Sequence, residues 1–267
     1  MDTFGFIGAG NMGGALAAAV SRTVGGENVF ITDIDLQKAE ELAAKTGAFA
    51  TNINTLAEKC DFIFLGVKPQ VIFNAAQQLS DLMSKRKQAP VIVTMAAGIS
   101  IESLGGIFGP DVPIIRIMPN MPARFEQGMI VYTLNQNVTS EQKHLFLNAM
   151  QKSGVLDEIP ENLIDAAGAV SGCGPAFAAM FIEALADGAV ACGLSREKAY
   201  LYSAQTVLGS ACAVIEGKIT PAALKDAVCS PGGTTIEGVY ALEKCEFRAG
   251  VMQAVIKALE KTNKLKK

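Results

Sequence analysis

The chain has 267 residues, of which 50% are apolar and 18% are charged, and its formal net charge is −3. This balance excludes intrinsic disorder, which requires low hydrophobicity and high net charge, and it disfavours nucleic-acid binding, which usually requires an excess of basic residues. We therefore expect a sizeable core, in one large domain or two modest ones.

The first half of the chain alternates short apolar runs with segments of helical spacing. Residues 4–8, 29–33, 62–67, 91–95, 114–118 and 129–133 are predicted to be strands, and residues 11–21, 36–45 and about 70–83 to be helices. Such alternation is typical of βαβ units with a parallel sheet. We expect a doubly wound α/β domain over residues 1–162.

Residues 163–267 have a different pattern, with long segments rich in Ala, Leu and Val and no further strand of the same quality. Helices are predicted over residues 163–192, 196–216, 221–228 and 247–261, because alanine is the strongest helix former. We expect an all-helical second domain whose apolar surface is shared with another chain.

The most apolar stretch, residues 176–193, is interrupted by Glu183 and Asp187, whereas a membrane-spanning helix needs about 20 apolar residues with few or no charges. We therefore predict a buried helix and no membrane partner. The first ten residues lack the basic region of a signal peptide, so a cytoplasmic protein with reduced cysteines is expected. No CxxC pair occurs and His144 is the only histidine. We predict no metal site and interpret the cysteines as small buried residues.

A G-x-G-x-x-G motif follows the first predicted strand and begins the first predicted helix. It comprises Gly8, Ala9, Gly10, Asn11, Met12 and Gly13. In this context the motif is typical of a Rossmann-type dinucleotide site. The first glycine makes the tight turn, the second lets the backbone approach the pyrophosphate, and the third lets the helix pack on the strand. The phosphates would meet free N–H groups at the positive end of the helix dipole.

Asp33 follows the second predicted strand, about 20 residues beyond the motif, where a carboxylate can accept both ribose hydroxyls of NAD. A carboxylate there should also repel the 2′-phosphate of NADP. No arginine stands beside it in the sequence, and Lys38 is the nearest base. The residues alone therefore favour NADH. Asp35 can also be interpreted as a cap of the next helix.

Three further turns follow predicted strands, at the edge of the sheet where ligands of doubly wound proteins bind. They cover residues 66–69, 95–98 and 118–122. Ala96 and Ala97 leave room for a ribose or a ring, and two prolines would hold the Asn120 side chain rigidly. Each turn has a purely structural interpretation as well.

Residues 229–235, with the sequence Cys-Ser-Pro-Gly-Gly-Thr-Thr, interrupt the helices of the second half. A new helix is predicted to start at about Thr235. Free N–H groups at such a start suit a carboxylate, with the threonine hydroxyls as additional donors. The alternative is a plain helix linker with Ser/Thr caps.

Residues 224–243 resemble the signature of the pyrroline-5-carboxylate reductases, and residues 66–69, 95–98, 116–122 and 171–176 are similar to further motifs of that family in the same order. The resemblance implies NADPH- or NADH-dependent reduction of the C=N bond of 1-pyrroline-5-carboxylate to L-proline, the last step of proline biosynthesis. It also implies a helical domain that forms a homodimer, with dimers assembling further. Cys173 and Asp33 depart from the family pattern. At the position of Asp33, many members have a residue suited to NADPH.

The resemblance also implies roles for single residues. The substrate carboxylate would lie at Gly233 and Thr234, Thr235 would act as the catalytic residue at the ring nitrogen, and Glu161 would lie near the substrate across the dimer interface. Further substrate contacts would be Ser230 and Gly232, and further dinucleotide contacts would be Asn52, Val67, Lys68, Pro69, Ala96, Ala97 and Asn120. Asn54 is a rival to Asn52.

The expected site lacks the acid that a ketone reductase needs to protonate an alkoxide. His144 lies outside every glycine motif. Tyr240 and Lys244 match a Y-x-x-x-K pattern. That pattern belongs inside a dinucleotide-binding domain, so we interpret the match as a coincidence. A protonated imine already carries the charge that activates its carbon. Orientation against C4 of the cofactor would then supply most of the catalysis, and Thr235 or water could protonate the nitrogen.

Two other functions stay open from the residues. A β-hydroxyacid-type dehydrogenase shares the architecture, but its chemistry needs a lysine on the first helix of the second domain, and residues 166–190 contain none. A non-catalytic dinucleotide-binding module would keep the glycine motif but has no need of residues 230–235. A second cyclic imine also stays open as a substrate.

Overall fold

The computed structural model describes residues 2–84 and 86–265, and the outer ends of the predicted domains, residues 1 and 267, lie outside them. The strands are β1 (Phe4–Ile7), β2 (Val29–Thr32), β3 (Phe49–Ala50), β4 (Phe62–Leu65), β5 (Val91–Thr94), β6 (Ile114–Met118), β7 (Gly128–Leu134) and β8 (Gly154–Glu158). The helices are α1 (Asn11–Val24), α2 (Leu36–Thr46), α3 (Ile53–Lys59), α4 (Ile72–Met83), α5 (Ile101–Phe108), α6 (Ser140–Met150), α7 (Glu161–Ser171), α8 (Gly174–Ala191), α9 (Arg196–Ile215), α10 (Pro221–Val228), α11 (Thr234–Lys244) and α12 (Phe247–Leu265).

All these strands form one 8-stranded sheet in the order β3-β2-β1-β4-β5-β6-β7-β8. Neighbouring strands are parallel except for β6 and β7, which are antiparallel. The order reverses between β1 and β4, which is the switch point where a doubly wound sheet binds ligands. Ile7 pairs with Leu65 at the carboxyl ends of these strands, so the turns that follow them start side by side.

Alternate residues of the central strands face opposite layers of helices, as the two-residue period of a strand requires. Phe6 and Phe64 stack with ring centroids 4.4 Å apart, on the face that α1 and α6 cover. Ile63 and Leu65 pack on the other face with α3, α4 and α5. Because both faces are buried, these strands are apolar along their whole length.

The predicted doubly wound sheet is confirmed, although its edges differ from the prediction. β3 has only 2 residues, too few for an apolar pattern, and β8 consists of exposed and half-buried residues. The strand predicted over residues 129–133 is the antiparallel β7, so the sheet is mixed. α3 and α5, with 7 and 8 residues, are too short for a clear helical period.

The chain divides into two compact units. The first contains the sheet, α7 and the end of α12 from Ala258, and the second is the helical segment Gly174–Lys257. α7 contacts β6 and β7, whereas the predicted boundary between residues 162 and 163 falls just after this helix begins. That domain boundary stays a prediction.

The helix predicted over residues 163–192 is two helices separated by a turn at Gly172 and Cys173, where the N–H of Cys173 bonds to the carbonyl oxygen of Gly168, five residues back. Glu161–Ala191 is the one stretch of the described residues that is long and apolar enough to cross a membrane, by length and composition only. Within α8 only Ala186 is buried, so the buried helix predicted for residues 176–193 is wrong for a single chain. Of the six free cysteines, only Cys60 is buried, which corrects the expectation for the other five.

Candidate active site

The glycine motif forms the turn between β1 and α1, directly beside the turn that follows β4. Gly8 has a φ of +108°, and a Cβ atom there would lie 2.6 Å from the carbonyl oxygen of Gly66. A Cβ atom on Gly13 would lie 2.1 Å from the carbonyl oxygen of Gly8. Both positions require glycine for the packing of the protein itself, and this packing fixes α1 against the two central strands.

Gly10 differs from its two neighbours, because a Cβ atom there would meet no described atom within 4 Å. It is the N-cap residue of α1, with φ −70° and ψ −170°, angles that other residues also adopt. No side chain in the described part of the chain caps the first N–H groups of this 14-residue helix. Open space in front of uncapped N–H groups fits a pyrophosphate at the positive helix end, so these residues fit a dinucleotide.

Asp33 follows β2 and is held by backbone N–H groups from two turns. Its Oδ2 atom accepts the N–H of Ala9 at 2.6 Å, and its Oδ1 atom accepts the N–H of Asp35 at 2.9 Å. Lys38, the base nearest to Asp33 in the sequence, lies 3.4 Å from the carboxylate of Asp35 and thus already faces an acidic side chain. Asp35 occupies the N-cap position of α2, but its side chain accepts no capping hydrogen bond from the described residues.

A groove of about 870 Å³ begins at the glycine motif and runs along α1 and α2. Ala9, Gly10 and Asn11 line it together with Lys38 and Lys68. Lys68 comes from the turn after β4, so the structure brings the first two predicted turns together. More basic than acidic side chains line the groove, which suits an anionic ligand.

The other residues predicted to contact the dinucleotide near this groove are in the expected turns. Met12 is half-buried in the first turn of α1, and Val67 and Pro69 are half-buried on either side of Lys68. Ala96, in the turn after β5, is 3% exposed, and Ala97 is half-buried. Their contacts with a cofactor stay predictions.

Besides Asp33, two predicted cofactor residues have side chains that bond within the protein. The Nδ2 atom of Asn120 donates to the carbonyl oxygen of Ser171 at 2.9 Å, and its Oδ1 atom accepts the N–H of Met129 at 3.0 Å. Asn52 caps α3 and accepts the N–H of Thr55 at 3.0 Å. Each side chain therefore stabilises the fold, and its predicted contact with the dinucleotide stays a prediction, as does that of the rival Asn54.

A buried charged cluster lies beside the turn after β5, and no sequence motif predicts it. The side chains of Arg116 on β6 and Asp165 on α7 are each 4% exposed, and their Nη2 and Oδ1 atoms are 2.6 Å apart. The Nη1 atom of Arg116 lies 3.2 Å from the Oε1 atom of Glu161, and the same oxygen accepts the N–H of Ile101 at 2.8 Å. A single arginine inside the apolar run of residues 114–118 is the pattern that could have indicated this cluster.

The structure thus places Glu161 in the first unit, bonded to residues of its own sheet domain. Together with Gly98, Ser100 and the buried pair it lines a cavity of about 440 Å³. Its predicted contact with substrate across a dimer interface stays a prediction.

The second predicted site is the turn between α10 and α11, in the second unit. Gly232 has a φ of +67°, and the N–H of Gly233 donates to the carbonyl oxygen of Ser230 at 3.0 Å. A Cβ atom on Gly233 would lie 2.3 Å from the Oγ atom and 3.2 Å from the carbonyl oxygen of Ser230, so a larger residue there would require the Ser230 side chain to move. α11 begins at Thr234, without a capping side chain among the described residues. Both Thr234 and Thr235 are exposed, which leaves these donors available to a carboxylate.

His144, Tyr240 and Lys244, for which no catalytic role is predicted, are distant in sequence from the glycine motif. His144 is exposed on α6. Tyr240 and Lys244 belong to the second unit, where the Lys244 ammonium lies 4.8 Å from the Tyr240 ring centroid. Within residues 2–84 and 86–265 there is no group of three or more His, Cys, Asp or Glu that could hold a metal ion.

Comparisons with known proteins identify both halves of the chain. A family model described as pyrroline-5-carboxylate reductase dimerisation matches residues 161–265, and one described as NADP oxidoreductase, coenzyme F420-dependent, matches residues 3–98. The chain is 41% identical to the pyrroline-5-carboxylate reductase of Escherichia coli K12, over 98% of both chains. It is 37% identical to that of Aquifex aeolicus, over 98% of this chain and 96% of the relative.

Solved structures agree with these relatives. The pyrroline carboxylate reductase of Plasmodium falciparum with NADP bound has a TM-score of 0.89 and 33% identity, covering 100% of this chain and 98% of that one. The Streptococcus pyogenes enzyme has a TM-score of 0.87 and 32% identity, over 98% of both chains. A Rossmann-type sheet domain, a helical dimerisation region and this similarity over nearly the whole length show that the chain belongs to the pyrroline-5-carboxylate reductase family of NAD(P)H-dependent oxidoreductases.

Proposed function

We propose that this chain reduces the C=N bond of 1-pyrroline-5-carboxylate with NAD(P)H and releases L-proline, the last step of proline biosynthesis. The observation that carries the proposal is the opening at Gly10. There the turn leaves space and uncapped N–H groups for an anionic group, although Gly8 and Gly13 on either side are packed tightly. Membership of the family supports the identity of the substrate.

The first unit would hold the cofactor, which when bound supplies a hydride from C4 of its reduced nicotinamide ring. The N–H groups at the start of α1 would bind the pyrophosphate, and Asp33 would accept the ribose hydroxyls. We expect NADH to be preferred, because the Asp33 carboxylate disfavours a 2′-phosphate and Lys38 already faces Asp35. The remaining proposed contacts are Asn52, Val67, Lys68, Pro69, Ala96, Ala97 and Asn120.

The turn between α10 and α11 would hold the substrate by its carboxylate. The N–H groups at the start of α11 carry the positive end of its helix dipole, and Thr234 can donate a further hydrogen bond from its hydroxyl. The hydroxyl of Thr235 would bond to the ring nitrogen and so orient the adjacent C5 atom. Ser230, Gly232 and Gly233 give the turn the shape that this requires.

A site of this kind needs no strong acid. The protonated imine is already positively charged, so reduction at C5 moves the C=N π electrons onto nitrogen and leaves a neutral amine. That amine then takes a proton from water or through the hydroxyl of Thr235. The work of the chain is to hold the ring and exclude water, so that orientation supplies most of the rate.

The second unit would associate with a second copy of the chain. Met180 on α8, Leu201 on α9 and Met252 on α12 are 69%, 63% and 60% exposed, although soluble monomers rarely leave large apolar patches in water. The family region that contains these helices is described by its dimerisation. We infer a homodimer that assembles further, in the cytoplasm, without a nucleic-acid or membrane partner, and a helical domain that begins at residue 163.

The test measures the loss of NAD(P)H absorbance when 1-pyrroline-5-carboxylate is added to the wild type and to two variants. Thr235→Ala should raise KM for the substrate and lower kcat, with a loss in kcat/KM of about tenfold or more for one hydrogen bond to a charged group. Binding of the dinucleotide should not change. The matched control is Thr206→Ala, since the Thr206 hydroxyl bonds to the carbonyl of Tyr202 within its own helix.

Two results would contradict the proposal at different points. An unchanged kcat/KM in Thr235→Ala would refute the role of that residue. A wild-type protein that leaves the cyclic imine untouched with both cofactors, but oxidises a 3-hydroxyacid with NAD(P)⁺, would refute the function itself.

A further inference from the structure

We propose that Glu161 is a positioning residue for the turn that follows β5, held in place by Arg116 and Asp165. That turn contains Ala96 and Ala97, the proposed neighbours of the cofactor, so the inference rests on the proposed function. It replaces the role that the family resemblance implies for Glu161, which is a substrate contact across the dimer interface.

Glu161 is the first residue of α7, and it bonds to the first residue of α5. Its Oε1 atom accepts the N–H of Ile101 at 2.8 Å. The first N–H groups of a helix have no partner inside that helix, and a carboxylate placed there gains a charge-assisted bond and a favourable interaction with the helix dipole. Ser100 caps the same end, because its Oγ atom accepts the N–H of Ser103 at 3.1 Å. The start of α5 is therefore fixed from two sides.

Two contacts fix the two ends of the turn after β5, and one of them comes from the charged cluster. At one end Thr94, the last residue of β5, pairs with Arg116 in the sheet. At the other end α5 begins at Ile101, which Glu161 holds. Inside the turn the N–H of Ile99 lies 3.4 Å from the carbonyl oxygen of Ala96, which is long for a hydrogen bond. The nitrogen of Ala96 likewise lies 3.4 Å from the Oγ1 atom of Thr94. Because these internal bonds are long, the position of the turn depends on its two ends and on the burial of Ala96 and Ile99, which are 3% and 4% exposed.

Arg116 lets two carboxylates share one face of α7. Glu161 and Asp165 are four residues apart and thus neighbours on the helix surface, where like charges repel. The Arg116 guanidinium lies 3.2 Å from the Oε1 atom of Glu161 and 2.6 Å from the Oδ1 atom of Asp165. Arg116 is 4% exposed and Glu161 is 33% exposed, so the planar guanidinium is a buried, fixed group that orients the outer carboxylate.

The experiment compares Glu161→Ala with Glu161→Gln and with the control Asn162→Ala. Glutamine keeps an acceptor oxygen for the N–H of Ile101, whereas alanine removes it. Asn162 is the next residue on α7 and lines the same cavity. The Kd for NADH is measured without substrate from the fluorescence of the reduced cofactor. The KM for 1-pyrroline-5-carboxylate is measured at saturating NADH, and the unfolding midpoint is measured by circular dichroism.

We expect Glu161→Ala to raise the Kd for NADH about tenfold, the effect of one hydrogen bond to a charged group, with KM for the substrate close to the wild-type value. Asn162→Ala should bind NADH as the wild type does, and Glu161→Gln, which keeps the acceptor oxygen but loses the charge, should raise the Kd less than Glu161→Ala does. A folded Glu161→Ala protein with normal NADH affinity would overturn the proposal. A rise in the KM for the substrate without a change in the Kd for NADH would also overturn the proposal, because it would indicate that Glu161 contacts the substrate.

Ile101→Pro removes the N–H group that donates to Glu161, and this variant tests the proposal if Glu161→Ala does not fold. Proline is accepted at the first position of a helix, and Ser100 before it already has the extended angles φ −84° and ψ 160° that a residue before proline prefers. This variant should weaken NADH binding to a similar extent, and normal affinity in the folded variant would overturn the proposal. A wild type that binds NADH but does not reduce the imine would contradict the proposed function instead.

Discussion

Gly10 and Gly13 provide a matched pair of variants that separates a cofactor site from a structural turn. Gly13→Ala places a Cβ atom 2.1 Å from the carbonyl oxygen of Gly8, which is far inside contact distance. Gly10→Ala places the same atom in open space, at backbone angles that alanine adopts. The second change therefore adds a methyl group where a ligand would lie and leaves the packing of the protein intact.

Gly13→Ala should mainly lower the stability of the protein, whereas Gly10→Ala should mainly weaken the binding of NADH. Overpacking at Gly13 should lower the free energy of unfolding by about 1–3 kcal/mol. At Gly10 alanine is a weaker N-cap but restricts the unfolded chain, and these opposing effects are each about 1 kcal/mol or less. A methyl group between the pyrophosphate and the start of α1 removes one or more charge-assisted bonds of about 1.5–3 kcal/mol, which corresponds to a rise of roughly 10- to 100-fold in the Kd for NADH.

Fluorescence titration with NADH and thermal unfolding of the same preparations measure both quantities. Gly10→Ala should unfold like the wild type and bind NADH weakly, whereas Gly13→Ala should unfold at a lower temperature. Wild-type affinity in Gly10→Ala would refute the placement of the pyrophosphate over this residue. A loss of stability equal to that of Gly13→Ala would refute the inference that the space is open.

Three further outcomes are expected. Asp33→Ser should raise kcat/KM for NADPH relative to NADH, because it removes the carboxylate at the ribose, and an unchanged ratio in parallel kinetics would contradict that role. Arg116→Ala should lower the free energy of unfolding in urea by about 3–5 kcal/mol, since it removes the cation that faces the buried Asp165 carboxylate; a loss below about 1 kcal/mol would place the pair in the class of exposed ion pairs. Burial raises the pKa of the Cys60 thiol to about 12, so alkylation at pH 8 followed by peptide mass spectrometry should find Cys60 unmodified until denaturant is added.

The glycine motif could be located from sequence because its requirements are local. Gly8 and Gly13 need glycine on account of each other and of the neighbouring Gly66. Gly8 and Gly66 directly follow apolar strands, and Gly13 lies in the first turn of the helix that follows Gly8. The start of α11 was predicted within one residue of Thr234 for a similar reason, since two consecutive glycines end helical composition there. At these positions the local sequence pattern and the tertiary packing both require the conformation that is observed.

The bonds of Glu161 could not be predicted in this way, because its partners are distant in the chain. Ile101 is 60 positions away, and Arg116 lies on a strand whose other residues are apolar. Only the folded sheet brings the start of α5 and the Arg116 guanidinium to the same carboxylate, that of Glu161 at the start of α7. A family resemblance carries over the position of such a residue but not the reason for its presence, and the contacts supply that reason.

The surroundings of α8 could not be predicted from its sequence either. Its composition predicts that it is covered, yet only Ala186 is buried in the single chain, because hydrophobicity indicates that a surface leaves water and not which molecule covers it. If a second copy covers α8, burial of its apolar face contributes to folding only when two chains meet. The stability of the helical unit then depends on protein concentration, whereas the sheet, whose central strands are covered on both faces within one chain, contains its own core.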